Sequence, residues 1–221
     1  MFSDQTSIRR LPIYIVLDTS RSMRGEPIRA VNAGLQMLKE TLLKDPYAVE
    51  TAFVSIIEYN TEPRQVVPLT EVIGFNPPSL EAGGWSAMGS ALRLLDQRLD
   101  EEILVNTDEH KGDYKSQVFL MSDGRPTDAW KMAIKTLRKR HANTLGTIIA
   151  LGCGPKADLE ILSQVADVVL ATTQVTPAII VSYFKWVSQA INVASKSASA
   201  VGGAINLPPP PPAFNIIVRS V

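Results

Sequence analysis

Leu11 to Leu17 is an unbroken apolar run, and Asp18-Thr19-Ser20-Arg21-Ser22 follows it directly. A segment apolar at every position has no solvent side. It reads as a strand covered on both faces, the pattern of a parallel sheet held between helices. A carboxylate and several hydroxyls therefore stand just past the C-terminal end of a buried strand, the edge at which open α/β sheets bind ligands. The spacing Asp-x-Ser-x-Ser lets one tight loop turn three hard oxygen groups toward one point, which suits a cation such as magnesium or manganese. Taken alone, the same residues also describe an ordinary helix N-cap.

The remainder of the chain alternates in the way that a doubly wound sheet requires. Ile28, Val31, Leu35, Leu38 and Leu42 recur at helical spacing, and the helix they mark closes near Asp45-Pro46. Strands are expected at Ala52 to Tyr59 and Gln65 to Leu69, joined by the turn-like Asn60-Thr61-Glu62-Pro63 into an antiparallel edge hairpin. Glu58 ends the first of these strands and reads as a water-facing carboxylate or a further ligand. Later strands are expected at Gln117 to Met121, Thr144 to Leu151 and, last, Val165 to Leu170. Helices are expected near Asp128 to His141, Asp158 to Gln164 and Pro177 to Val193. The fold class is thus α/β, a mostly parallel sheet with helices on both faces and one antiparallel edge hairpin.

Two further places repeat the chemistry of the Asp18 loop. Gly83-Gly84-Trp85-Ser86 puts two glycines and then a hydroxyl ahead of a helix carrying Met88, Leu92, Leu95 and Leu99 on one face. Ser122-Asp123-Gly124 places a second carboxylate after a second buried strand. The polar connector 106–115, with Asp108, Glu109, His110 and Asp113, reads as a solvated loop in which His110 is a minor candidate for binding.

At 221 residues the chain can bury a full core without disulfides. Its 22 Lys plus Arg balance 22 Asp plus Glu, so no global field draws it to nucleic acid or an anionic membrane. The basic residues between Lys131 and Arg140 read as a solvated helix face. A single cysteine, Cys153, agrees with a reducing compartment, and no signal-peptide pattern or long apolar span is seen, so a cytoplasmic location is expected. Residues 1–205 are expected to form the domain and 206–221 a proline-rich tail. Its run Pro208 to Pro212 reads as a stiff rod of about 15 Å, holding Phe214 and Ile216 to Val218 away from the preceding helix. That tail is expected to be disordered or to dock on a partner or on the domain, and to add little stability.

Together, Asp18-x-Ser20-x-Ser22, Gly-Gly-x-Ser86 and Ser-Asp123-Gly resemble the metal-ion-dependent adhesion site of the von Willebrand factor type A (VWA) domain. Ile148 to Gly154, Asp158-Leu159 and Val165-Ala166 are similar to that family's late strand, helix and strand. The stretch Ile13 to Met23 is most similar to TerY-type proteins of bacterial tellurite-resistance operons. The resemblance implies a non-catalytic interaction module in which Ser20, Ser22 and Ser86 offer hydroxyls to a divalent cation, magnesium or manganese with calcium also fitting. Asp18 and Asp123 would ligate directly or through water, and a partner's Asp or Glu would complete the site. Operon-encoded kinase and phosphatase proteins are the implied partners. Ser86 departs from the family's usual threonine.

Two other functions compete on the residues alone. A metal-dependent phosphatase or hydrolase would use Asp18 or Ser20 as nucleophile with Asp123, but neither histidine stands beside either residue in a known motif. Gly152-x-Gly154-x-x-Ala157 matches a dinucleotide-binding pattern, yet no acid ends the next strand, where Ala171-Thr172-Thr173 stand.

Overall fold

The computed structural model describes residues 9–108, 111–123, 125–199 and 207–219. Among these residues seven strands form one sheet: β1 (Leu11–Asp18), β2 (Ala52–Tyr59), β3 (Pro63–Glu71), β4 (Ser116–Ser122), β5 (Leu145–Cys153), β6 (Val168–Thr172) and β7 (Asn215–Arg219). Their order is β3-β2-β1-β4-β5-β6-β7. The inner pairings are parallel, whereas β3 and β7 each run antiparallel at an edge. Strand order reverses at β1, between β2 and β4, and that switch point opens the crevice above the C-terminal ends of β1 and β4.

Among the described residues six α-helices cover the sheet: α1 (Glu26–Leu42), α2 (Pro46–Thr51), α3 (Met88–Glu102), α4 (Trp130–Arg140), α5 (Leu159–Val165) and α6 (Pro177–Ser199). The uniform apolarity of β1 has a direct cause. Leu11, Ile13, Ile15 and Leu17 join the core formed with α1 and α6, while Tyr14 and Val16 join the opposite core under α3, α4 and α5. Alternate side chains of a strand point to opposite faces, so a strand between two helical layers has no position for a polar residue. Gly34 of α1 lets Phe184 of α6 pack where a side chain would otherwise stand, since a Cβ there would lie 2.2 Å from the ring.

Several details differ from what the sequence suggests. Asp45-Pro46 ends α1 and also opens α2, because the Asp45 carboxylate accepts the amide hydrogens of Tyr47 and Ala48 at 3.0 and 3.4 Å. Glu58 is neither water-facing nor at the site; it is buried and ion-paired with Arg64 across the β2–β3 hairpin. Asp113, expected in a solvated loop, has a side chain only 2% exposed that pairs with Arg10, which also bonds the Glu102 carbonyl. Position 110, the minor histidine candidate, lies outside the described residues.

The proline run does not hold the apolar end away from α6. The chain turns at Pro212-Ala213, with the Phe214 amide donating to the Pro211 carbonyl at 3.0 Å. Phe214 is buried edge-on against Tyr183 of α6, their ring centroids 6.2 Å apart. Trp186 of α6 donates its indole hydrogen to the Pro208 carbonyl at 3.0 Å, and β7 then pairs with β6. Burying Phe214 and satisfying the open edge of β6 both favour this return over an extended rod.

Candidate metal centre

Three loops meet above the C-terminal ends of β1 and β4. The Asp18 carboxylate is fully buried, and both of its oxygens are engaged. Oδ1 accepts the Ser20 amide hydrogen at 2.9 Å; Oδ2 accepts the hydroxyls of Ser86 at 2.7 Å and Ser122 at 3.2 Å. Ser20 and Ser22 hydroxyls lie 3.1 Å apart, and Ser22 donates to Asp123 Oδ1 at 2.8 Å. All five residues singled out in the sequence, Asp18, Ser20, Ser22, Ser86 and Asp123, thus form one connected cluster.

The backbone around the cluster is locked from several sides. The Thr19 amide donates to the Tyr59 carbonyl, and the Thr19 carbonyl accepts from Gly83, both at 2.8 Å. Arg21 donates to the Gly84 carbonyl at 3.2 Å, tying the first serine loop to the second. Gly84 has φ +69°, and a Cβ there would lie 2.4 Å from Thr61 Oγ1, so glycine is required for both conformation and space. The third loop is latched to the second: the Ser86 carbonyl accepts from the Thr127 amide at 2.8 Å and from its hydroxyl at 3.0 Å.

Asp128 contributes a feature that sequence reading missed. Its carboxylate accepts the amide hydrogens of Gly89 and Ser90, each at 2.7 Å, capping α3 from across the fold. The residue before α3 is Ala87, which has no capping oxygen, so the cap is supplied 39 residues later in the chain. In sequence it reads as an ordinary cap for the helix that begins two residues later at Trp130, so nothing local points to α3. The Ser122 hydroxyl on Asp18 was likewise hidden, because serine ending a buried strand has no distinctive pattern.

The electrostatics are those of two carboxylates held near one another. Burial is the main cause that raises the Asp18 pKa, partly offset by its bonds to Ser20, Ser86 and Ser122. Asp123 is pushed up to about 6, first by burial and then by the nearby Asp18 charge, against the Ser22 bond and the Lys156 charge. Among the described residues no lysine or arginine forms an ion pair with either carboxylate. Two partly desolvated acids surrounded by neutral hydroxyls gain from a divalent cation, and an all-oxygen donor set favours a hard one. Among the described residues no three His, Cys, Asp or Glu side chains cluster, so a cation held here would need the hydroxyls as its other donors.

The sequence profile of the von Willebrand factor type A domain matches residues 13–173. The chain belongs to the VWA family. Solved structures agree on the fold. Proximal thread matrix protein 1 from the mussel byssus superposes with a TM-score of 0.60 at 16% identity, covering 84% of this chain and 48% of that one. A von Willebrand factor type A protein from Catenulispora acidiphila gives 0.59 at 17% identity, covering 84% and 43%. The pilus adhesin SpaC from Lactobacillus rhamnosus GG gives 0.66 at 13% identity, covering 86% and 31%. This chain therefore spans less than half the length of these proteins. The mussel protein has also been solved with zinc in its metal-ion-dependent adhesion site. No curated protein matches the sequence. VWA domains generally serve as metal-dependent interaction modules, and the three loops of this VWA domain meet at the same sheet edge.

The glycine-rich turn after β5 has no nucleotide-binding form. Gly154, at φ +84°, donates to the Thr172 carbonyl at 2.7 Å and simply turns the chain toward the short α5.

Proposed function

We propose that this VWA domain is a non-catalytic interaction module whose cluster of Asp18, Ser20, Ser22, Ser86 and Asp123 holds one divalent cation, magnesium or manganese, with calcium also fitting. The observation that carries this reading is the buried Asp18 carboxylate, which is hydrogen-bonded by neutral donors yet has no cationic partner among the described residues. A bound cation would supply a Lewis-acid position for a carboxylate from a partner's Asp or Glu. Ser20, Ser22 and Ser86 contribute no charge, which keeps that position attractive to an incoming acid. The latches from Thr19 and Thr127 fix the hydroxyls in advance, so little ordering is required on binding.

The likeness of Ile13 to Met23 to TerY-type proteins supports a role in a bacterial tellurite- or stress-resistance system, with the operon's kinase and phosphatase as partners. The single cysteine, buried Cys153, fits a cytoplasmic setting. Among the described residues no helix is long and apolar enough to cross a membrane. A phosphatase or hydrolase is disfavoured by geometry. Asp18 is sealed from any substrate, and His141 sits before β5, at the opposite edge of the sheet, bonded to Asp96.

Isothermal calorimetry with magnesium and manganese tests the centre. One site is expected in the wild type and none in Asp18→Ala with Asp123→Ala. Pull-downs of the operon partners with and without chelator test the carboxylate reading. Capture that ignores chelator would overturn it.

A further inference from the structure

The consecutive prolines Pro208 to Pro212 are a motif that the metal centre does not use. Each residue from Leu207 to Pro211 precedes a proline, and the ring that follows keeps its backbone out of the helical region. Ring-fixed φ angles and extended ψ angles leave the polyproline II helix, which has three residues per turn. The turn at Pro212-Ala213 comes only at the end of the run, so Leu207 to Pro211 keep that form.

A three-residue repeat gives the run three ridges, and their exposure differs. Leu207 and Pro210 are half-buried, as are Pro208 and Pro211, whereas Pro209 and Pro212 are both exposed. The residues of the two half-buried ridges carry the anchors. Leu207 packs against the core under α6, the Pro208 carbonyl accepts from Trp186, and the Pro211 carbonyl accepts from Phe214. The third ridge thus presents two proline rings about 9 Å apart, fixed by the domain in advance of any encounter. The carbonyls of Pro209 and Pro210 accept no hydrogen bond among the described residues, and proline has no backbone N–H, so any donor must come from outside the run.

We infer that this ridge docks in a groove of a partner protein lined by aromatic side chains, with Pro209 and Pro212 seated against the rings and indole or phenol hydrogens donated to the carbonyls between them. Flat rings pack on proline rings without a polar partner, and a rod fixed beforehand loses little freedom on binding. The ridge carries no charge to attract an anionic surface and no N–H to pair with an added strand. A second copy of the chain does not offer the groove: among the described residues the rings that pair with one another, Phe119, Tyr183, Phe184, Trp186 and Phe214, are all buried. The run leads into β7 at one edge of the sheet, whereas the serine loops gather above β1 and β4 in its middle, so the two surfaces act independently.

A panel of ¹⁵N-labelled WW and SH3 domains, whose grooves are of this kind, is titrated first with the free peptide Leu207 to Ala213 and then with the full chain, with and without chelator. At least one domain is expected to bind the peptide. The full chain is expected to bind that domain at least as tightly, to shift the indole and ring resonances of its groove, and to ignore chelator. Pro209→Ala should weaken binding of the chain at least fivefold and Pro210→Ala less than twofold; both leave the turn at Pro212-Ala213 and the Trp186 bond in place. A peptide that no domain binds would overturn the proposal. So would a domain that binds the peptide but not the chain, since the ridge would then be covered. Equal losses in the two variants would overturn the assignment of the ridge, and binding abolished by chelator would move the contact to the metal centre. Self-association of the chain that is lost in Pro209→Ala would overturn the choice of a foreign partner.

Discussion

Ser86 Oγ donates to Asp18 Oδ2 at 2.7 Å, joining residues 68 positions apart inside a buried pocket. The carboxylate is thereby aimed, but its charge is not neutralised. Replacing Asp18 by asparagine removes that charge and keeps an oxygen acceptor for Ser86. Asp18→Asn is expected to raise the melting temperature of the metal-free protein and to abolish its response to added magnesium. Differential scanning calorimetry with chelator and with magnesium checks both arms; a variant less stable than wild type without metal would contradict the account.

A pH dependence follows from Asp123, whose pKa is pushed up to about 6 mainly by burial. A carboxyl whose pKa is raised on folding contributes stability below its unfolded value, and that contribution is lost as pH rises through the folded value. The metal-free protein should therefore lose stability between about pH 4 and pH 6. Magnesium competes with the proton at this carboxyl, so the gain in melting temperature on adding it should be large at pH 7.5 and small below about pH 6. Thermal melts at a series of pH values, with and without magnesium, read this directly.

Gly84 tests the rigidity of the second loop. At φ +69° with Thr61 Oγ1 2.4 Å from any Cβ, alanine is strained in both backbone and space. Gly84→Ala should cost about 1–3 kcal/mol of stability and weaken magnesium binding more than tenfold. Calorimetric titration and urea denaturation measure the two effects. An alanine variant with wild-type metal affinity would show that Ser86 is positioned without this turn.

The return of the chain through Phe214 makes the segment after Ala204 structural. Truncation there removes β7, the Phe214 ring on Tyr183 and the Pro208 acceptor for Trp186. A fall in melting temperature well beyond 5 °C is expected. Phe214→Ala alone should cost about 3 kcal/mol, in the range for losing a buried aromatic ring. Urea denaturation of both proteins decides the matter.

Much of the architecture was legible because β1 leaves no position for solvent, and because Asp18, Ser86 and Asp123 each precede a helix and follow an apolar strand or a glycine pair. The loops converge because parallel strands deliver their C-terminal ends to one edge. What escaped sequence reading depends on long-range partners. Glu58 is indistinguishable from an exposed edge acid until Arg64 is seen beside it. Asp128 caps α3 through the amide of Gly89, 39 residues earlier. The Pro208 to Pro212 run reads as a rod because local backbone preference favours one. The pull on Phe214 comes from Tyr183 and that on Pro208 from Trp186, which local sequence does not reveal.

Antiparallel β7 begins at the metal-site edge, where Asn215 pairs with Ala171, and ends at the far edge, where Arg219 pairs with Val168. β1 also starts at the far edge, with Leu11 beside Ala52. Both described ends of the domain therefore leave on the side away from Asp18, as two cables might leave the base of a lamp. A dye attached beside Leu11 or Arg219 would sit at the edge opposite the serine loops and leave them unobstructed.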